Sequence, residues 1–124
     1  MLKIIVAALA ALLALAAPAL AQTTKPGAHG GQVRMADHHA IEFVSTDREI
    51  AFYVLEEDGK PLDTKGLTGR AIIQEGGKST TVALAAAAPN KLAGPLAAPL
   101  GKGARIVMTS RVHGHALQAR FEQP

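Results

Sequence analysis

Five histidines are the residues of this chain best suited to chemistry near neutral pH. Three of them, His29, His38 and His39, lie in the segment HGGQVRMADHHAIEF, and His113 and His115 lie near the end of the chain. Imidazole is the commonest metal ligand in proteins, and the chain has no cysteine to supply a thiolate. The histidines therefore predict a site for Cu(II) or Zn(II). The alternative is that all five are solvated polar residues at the ends of strands.

The spacing of the histidines separates two candidate pairs. His113 and His115 are two positions apart, so an extended chain places both imidazoles on one side, and Gly114 between them lets the chain curl. His38 and His39 are adjacent, so a strand would point them to opposite faces unless it begins after them. His113 and His115 are therefore the main predicted ligands.

Other kinds of chemistry have little support in the sequence. The chain has no G-x-S-x-G, H-E-x-x-H or phosphate-binding glycine motif, so we do not predict an enzyme. The acidic segment 56–59 lacks the alternating carboxylates of a calcium loop and indicates a solvated turn. Met108 lies in an alternating run that predicts a core position, whereas Met35 stays open as a soft ligand.

The first 21 residues have the pattern of a secretory signal peptide. Lys3 precedes an apolar run, Pro18 ends that run, and Ala19-Leu20-Ala21 fits a cleavage site. A transmembrane anchor fits worse, because a span needs about 20 apolar residues and this run is shorter. We therefore predict a signal peptide over 1–21, a flexible arm over 22–31 and one domain over 32–124, exported to the periplasm with no membrane span in the mature chain.

Short runs rich in Val, Ile, Phe and Thr, separated by turn residues, predict an all-β domain. Several runs alternate apolar and polar residues, as half-buried strands do, and the pairs Gly76-Gly77 and His113-Gly114 suit tight hairpins. We expect an antiparallel, immunoglobulin-like β-sandwich of about seven strands, with an up-and-down barrel as the alternative. The predicted strands are 32–35, 39–45, 49–56, 70–75, 79–86, 104–112 and 115–121, with a possible short strand at 91–96.

Seven alternating strands would place the histidines at two ends of the domain. The turns after the second, fourth and sixth strands would share an end with the start of the first strand. The first predicted group comprises His29, His113 and His115, with Asp47 as a further donor. The second, weaker group comprises His38 and His39, with Met35 beside them. On this count the amino-terminal arm brings His29 to the carboxy-terminal pair.

Charge and composition limit the possible partners. The net charge is +3, and the lysines and arginines are scattered among acidic residues with few aromatics, which argues against nucleic-acid binding. Segment 85–103 is rich in Ala, Pro, Gly and Leu, which is unusually apolar for a connection. It could cover a sheet edge or dock a partner, and the structural role is the commoner one.

Three segments carry a resemblance to a known group of proteins. They are HGG at 29–31, IEF at 41–43 and YVLEEDGKP at 53–61. On these segments the chain resembles small bacterial periplasmic β-sandwich proteins, whose segments also occur beside or within the periplasmic parts of heavy-metal efflux systems. The resemblance implies a metal-handling context but names no metal and no ligand set. The expected function is thus a periplasmic metal-binding carrier or buffer linked to an envelope efflux component, and the alternative is a metal-free module that docks on an envelope complex.

Overall fold

A computed structural model describes residues 25–124, so the predicted signal peptide and the first residues of the predicted arm lie outside the described residues. The described part contains no helix, and therefore none long and apolar enough to cross a membrane. Its eight strands are β1 (Gln32–Ala36), β2 (His39–Ser45), β3 (Glu49–Val54), β4 (Thr68–Glu75), β5 (Lys78–Ala87), β6 (Lys91–Pro95), β7 (Arg105–Val112) and β8 (His115–Glu122).

Every strand pair is antiparallel, and the hydrogen bonds join all eight strands into one sheet. The strand order is β1-β2-β3-β6-β5-β4-β7-β8, and the sheet curls until its two edge strands meet. At this seam the Glu122 N–H donates to the side-chain Oε1 of Gln32 at 3.2 Å. The prediction of an all-β, antiparallel domain is confirmed, in a nearly closed, barrel-like arrangement.

The core lies inside the curled sheet and explains why the edge strands meet. Phe43 on β2, Phe52 on β3 and Phe121 on β8 pack against one another with ring centroids 5.3–5.7 Å apart. All three are buried, and burying a side chain of this size stabilises a fold by about 1.5–3 kcal/mol. Met108 is also fully buried, as predicted, whereas Met35 is exposed.

Three hairpins each have a two-residue turn, and all six turn residues have positive φ, as a type I′ turn requires. Gly76-Gly77 and His113-Gly114 were predicted from their glycines. The third turn, Asp37-His38, has no glycine and holds φ values of 46° and 67°. Asp and His are among the non-glycine residues that adopt this conformation most often. His38 thus belongs to a turn, and β2 begins at His39.

The possible short strand predicted at 91–96 is present as β6, and it changes which turns share an end of the sheet. Counting it as a full strand reverses the direction of β7 and β8 relative to the seven-strand count. The β7–β8 turn therefore lies at the same end as the β1–β2 turn, and the predicted grouping of the histidines by end is wrong. Asp47 lies in the turn between β2 and β3, which is at the opposite end from His113.

Most of the apolar segment 85–103 is part of the fold. Its first residues end β5, its middle forms β6, and Leu96 and Leu100 beyond β6 pack against the core. The backbone N–H of Gly101 donates to the Glu75 carboxylate at 2.7 Å, which attaches this connection to the β4–β5 hairpin. These contacts favour a structural role for the segment.

Candidate functional site

Three parts of the chain meet at the end of the sheet where β1 ends and β8 begins. They are the β1–β2 turn, the loop after β3 and the β7–β8 turn, and they enclose an open cleft of about 560 Å³. We call it the histidine cleft. It is lined by Asp37, His39, Glu56, Glu57, Asp58, His113 and His115.

His39 is the fixed imidazole of the cleft. The residue is 5% exposed, and its Nδ1 donates to the backbone oxygen of Leu55 at 2.8 Å. Because a carbonyl only accepts, the ring proton lies on Nδ1, and the neutral ring has its lone pair on Nε2. Metal-binding histidines are commonly oriented in this way by a carbonyl or carboxylate on the other nitrogen. The His39 ring centroid lies 6.2 Å from that of His113.

His113 and His115 are held loosely. Their side chains are 61% and 70% exposed, respectively. Nε2 of His113 donates to the Glu56 carboxylate, with distances of 3.1 and 3.3 Å to its two oxygens. Nδ1 of His115 lies 4.0 Å from Oδ2 of Asp37, which is ion-pair range for a protonated ring and too long for a hydrogen bond. Both imidazoles are therefore free to turn towards His39.

The side chains of the cleft are of the types that bind a borderline metal ion, but they are not assembled into a coordination site. Imidazole nitrogens with one or two carboxylates suit Zn(II) and Cu(II). Within residues 25–124, no group of three or more histidine or acidic side chains is arranged to hold a metal ion. Binding at the cleft would therefore require the exposed side chains of the β7–β8 turn to rotate.

His29 lies in a second, separate place, which we call the arm site. Residues 27–31 form a compact turn in which Gly27 N–H donates to the Gly31 oxygen and Gly30 N–H to the Gly27 oxygen, both at 2.9 Å. The turn encloses the Glu42 carboxylate, whose side chain is 7% exposed. That carboxylate accepts from the His29 N–H at 2.9 Å, the Gly31 N–H at 2.7 Å and Nδ1 of His29 at 2.9 Å.

Glycine is required where the turn meets β2. A Cβ at Gly27 would overlap the Glu42 carboxylate, and one at Gly31 would overlap the Phe43 carbonyl oxygen. The HGG and IEF segments, 10 residues apart in the sequence, therefore form one structural unit around a buried charge. A flexible arm was predicted over 22–31, but within it His29 and Gly31 are hydrogen-bonded to Glu42 of β2.

Tyr53 extends the arm site across β3. The His29 ring stacks on it with centroids 3.6 Å apart and planes 11° apart, and Lys91 Nζ lies 5.8 Å from the same ring centroid. Lys91 also forms an ion pair with Glu49 at 2.7 Å. The hydrogen bond that Lys91 donates to the Glu49 carboxylate raises the pKa of Lys91 above its ordinary value, and partial burial opposes this effect. The surroundings of His29 thus contain several contacts that stabilise the fold.

A single imidazole cannot form a metal site of three or four donors. Two cavities border His29, and among the described residues no second histidine lines either of them. Glu42, the nearest carboxylate, already accepts three hydrogen bonds. The structure therefore brings His39 to the predicted pair of His113 and His115 and leaves His29 apart.

Sequence reasoning missed some of the cleft and some of the arm site. Asp37 and Glu56 are candidate donors because the fold brings their turns together, which the sequence does not show. His38, a predicted candidate, is exposed and does not line the cleft. The position of Glu42 between the apolar residues Ile41 and Phe43 was a sign that its carboxylate is buried. Strand alternation alone, however, assigns such a residue to the solvent-facing side.

Comparisons with models of protein families, with curated proteins and with solved structures found no match to this chain. We therefore infer the function from the geometry of the histidine cleft and of the arm site.

Proposed function

We propose that this chain is an exported, periplasmic protein that binds one transition-metal ion, Cu(II) or Zn(II), in the histidine cleft. The observation that carries the proposal is that turns far apart in the sequence bring His39, His113 and His115 to one open cleft with carboxylates beside them. In this role the protein is a carrier or buffer of the ion, and an envelope efflux component is its expected partner.

The cleft contains one fixed donor and several adjustable ones. His39 is buried and already has its lone pair on Nε2, so it loses little conformational freedom when it binds an ion. His113 and His115 sit on a tight hairpin, which restricts their backbone but leaves their side chains mobile. Asp37 and Glu56 lie next to them and supply negative charge against the charge of the ion.

Imidazole ligands in an open cleft make metal binding reversible. An imidazole must be neutral to bind a metal, so protons compete with the ion as the pH falls towards about 6.5, the ordinary histidine pKa. An open cleft with exposed ligands also lets another protein approach the ion directly. Release by ligand exchange or by protonation is what a carrier or buffer requires.

Calorimetric titration with Cu(II) and with Zn(II) tests the proposal. The wild type should bind one ion with a Kd of about 1 µM or tighter, equivalent to about −8 kcal/mol. The paired change His113→Ala with His115→Ala should weaken binding at least ~100-fold, which corresponds to the loss of about 2.7 kcal/mol. The matched control is His29→Ala with His38→Ala, which removes as many imidazoles outside the cleft and should change Kd by less than about threefold.

Two outcomes would overturn the proposal. One is a wild type that binds neither ion more tightly than about 1 mM, the level of a stray surface contact. The other is a control pair that weakens binding as much as the cleft pair does. In the first case a metal-free module that docks on an envelope complex becomes the leading function.

A further inference from the structure

We propose that the outer face of β4 and β7 carries a binding site for a phosphate-type oxyanion. Buried residues alternate with outward ones on both strands, so Thr68 and Arg70 of β4 face outward, as do Thr109 and Arg111 of β7. These four residues line an open groove of about 530 Å³, which we call the arginine groove.

The strand register sets the geometry of the groove. Arg70 pairs with Thr109, and Gly69 pairs with Ser110, so one further step places Thr68 beside Arg111. The two arginines therefore occupy one diagonal of a cross-strand square, and the two threonines occupy the other. Diagonal neighbours on a sheet are about 7–8 Å apart, which is within reach of long side chains. Both guanidinium groups can thus contact one small ligand between them.

The contacts already present favour an anion. Nε of Arg70 donates to the Thr109 hydroxyl at 3.3 Å, which holds the base of this guanidinium group over β7. Among the described residues, neither Arg70 nor Arg111 forms a salt bridge with a carboxylate. On β8, Ala116 pairs with Arg111, and its small side chain leaves the groove open on that side.

The residue types select the class of ligand. Guanidinium groups bind phosphate oxygens through paired N–H donors, and hydroxyl groups can donate to the remaining oxygens. A tetrahedral dianion or monoanion of phosphate type uses these donors better than a halide or an apolar ligand. Both inorganic phosphate and the phosphate headgroup of a lipid present this chemistry.

A titration of the metal-free full chain with inorganic phosphate, followed by NMR at the Nε–H signals of the arginines, tests the site. We expect saturable shifts at Arg70 and Arg111. The paired change Arg70→Gln with Arg111→Gln should weaken binding about 10-fold or more, because charge-assisted bonds are lost. The matched control, Arg105→Gln with Arg120→Gln, removes equal charge from exposed positions of β7 and β8 outside the groove, and should change Kd by less than about twofold.

A flotation assay with phosphatidylcholine vesicles, with and without phosphatidic acid, separates the two sources. Flotation that needs phosphatidic acid and is lost in the groove variant identifies a lipid headgroup as the ligand. Saturable phosphate binding without flotation identifies a free phosphate compound. Equal weakening by the groove pair and the control pair would overturn the proposal, since only net charge would then matter. Absence of saturable phosphate binding in the wild type would also overturn it.

Discussion

The arm site and the histidine cleft use the same side chain for opposite purposes. At the arm site, a buried carboxylate holds Nδ1 of His29 and a tyrosine stacks on its ring, so the imidazole closes the amino-terminal turn onto the sheet. In the cleft, His113 and His115 are mostly exposed and each has a carboxylate of another segment within ion-pair range. Contacts that fix an imidazole stabilise the fold, whereas a loosely held imidazole remains available to a ligand.

His39 is both fixed by the fold and available to a ligand. It is buried like a structural residue, yet its one hydrogen bond occupies only Nδ1. Burial alone therefore does not show that a histidine serves only the fold. What matters is whether other donors share the same space, and His113 and His115 line the same cleft as His39.

Glu42→Ala should have the largest effect on stability. The change leaves two backbone N–H groups and the His29 ring without their acceptor, and hydrogen bonds to a charged group each contribute about 1.5–3 kcal/mol. Because the freed turn can bind water instead, we expect a loss of about 2 kcal/mol in urea unfolding. Glu122→Ala removes an exposed glutamate and should stay within about 0.5 kcal/mol. Equal losses for the two variants would show that the arm site does not hold the fold.

His29→Ala should have an intermediate effect. It removes the stack on Tyr53, a contact that contributes about 0.5–1.5 kcal/mol, and one hydrogen bond to Glu42. The His29 side chain is 45% exposed, so we expect a loss of only about 1 kcal/mol in thermal or urea unfolding. His115→Ala is the control, because its imidazole is 70% exposed and too far from Asp37 for a hydrogen bond, and it should be nearly neutral for stability. A His29→Ala variant with unchanged stability but weakened Cu(II) binding would reverse the roles of the two regions.

His38→Gly should have the smallest effect and the opposite sign. His38 holds a φ of 67°, and because histidine adopts this conformation more readily than most residues, the cost lies at the low end of the general range, about 1 kcal/mol. Glycine relieves that strain but loses about 0.5–1 kcal/mol more through chain entropy, so we expect a net gain below about 1 kcal/mol. Gly114→Ala, at a φ of 79° in the facing hairpin, should destabilise instead. A loss of stability in His38→Gly would mean that the His38 side chain makes a contact that stabilises the turn.

Local patterning predicted most of the fold. The run predicted at 39–45 coincides with β2, and the glycines at 76, 77 and 114 lie in the turns that they were expected to form. Strand β6 has the sequence KLAGP, in which alanine, glycine and proline have low strand propensity. It forms because β3 and β5 pair with its two sides, which is a long-range property that a local pattern does not contain.

The candidate site was predicted only in part for the same reason. The pairing of His113 with His115 depends on local spacing and was readable from the sequence. Which residues lie beside that pair depends on which turns share an end of the sheet. Because β6 is a full strand, His39 and not His29 lies beside His113 and His115. The role of Glu42 depends on a glycine turn that folds back over it, and alternation alone places an outward residue in solvent.

The division between a structural His29 and ligand-binding cleft histidines can be tested directly by a Zn(II) titration followed through the imidazole 15N signals of all five histidines. We predict that the signals of His39, His113 and His115 change together and stop changing at one equivalent of Zn(II). The signals of His29 and His38 should stay in place up to that point. A His29 signal that moves with the first equivalent, or five signals that drift together without saturation, would contradict this division between His29 and the cleft histidines.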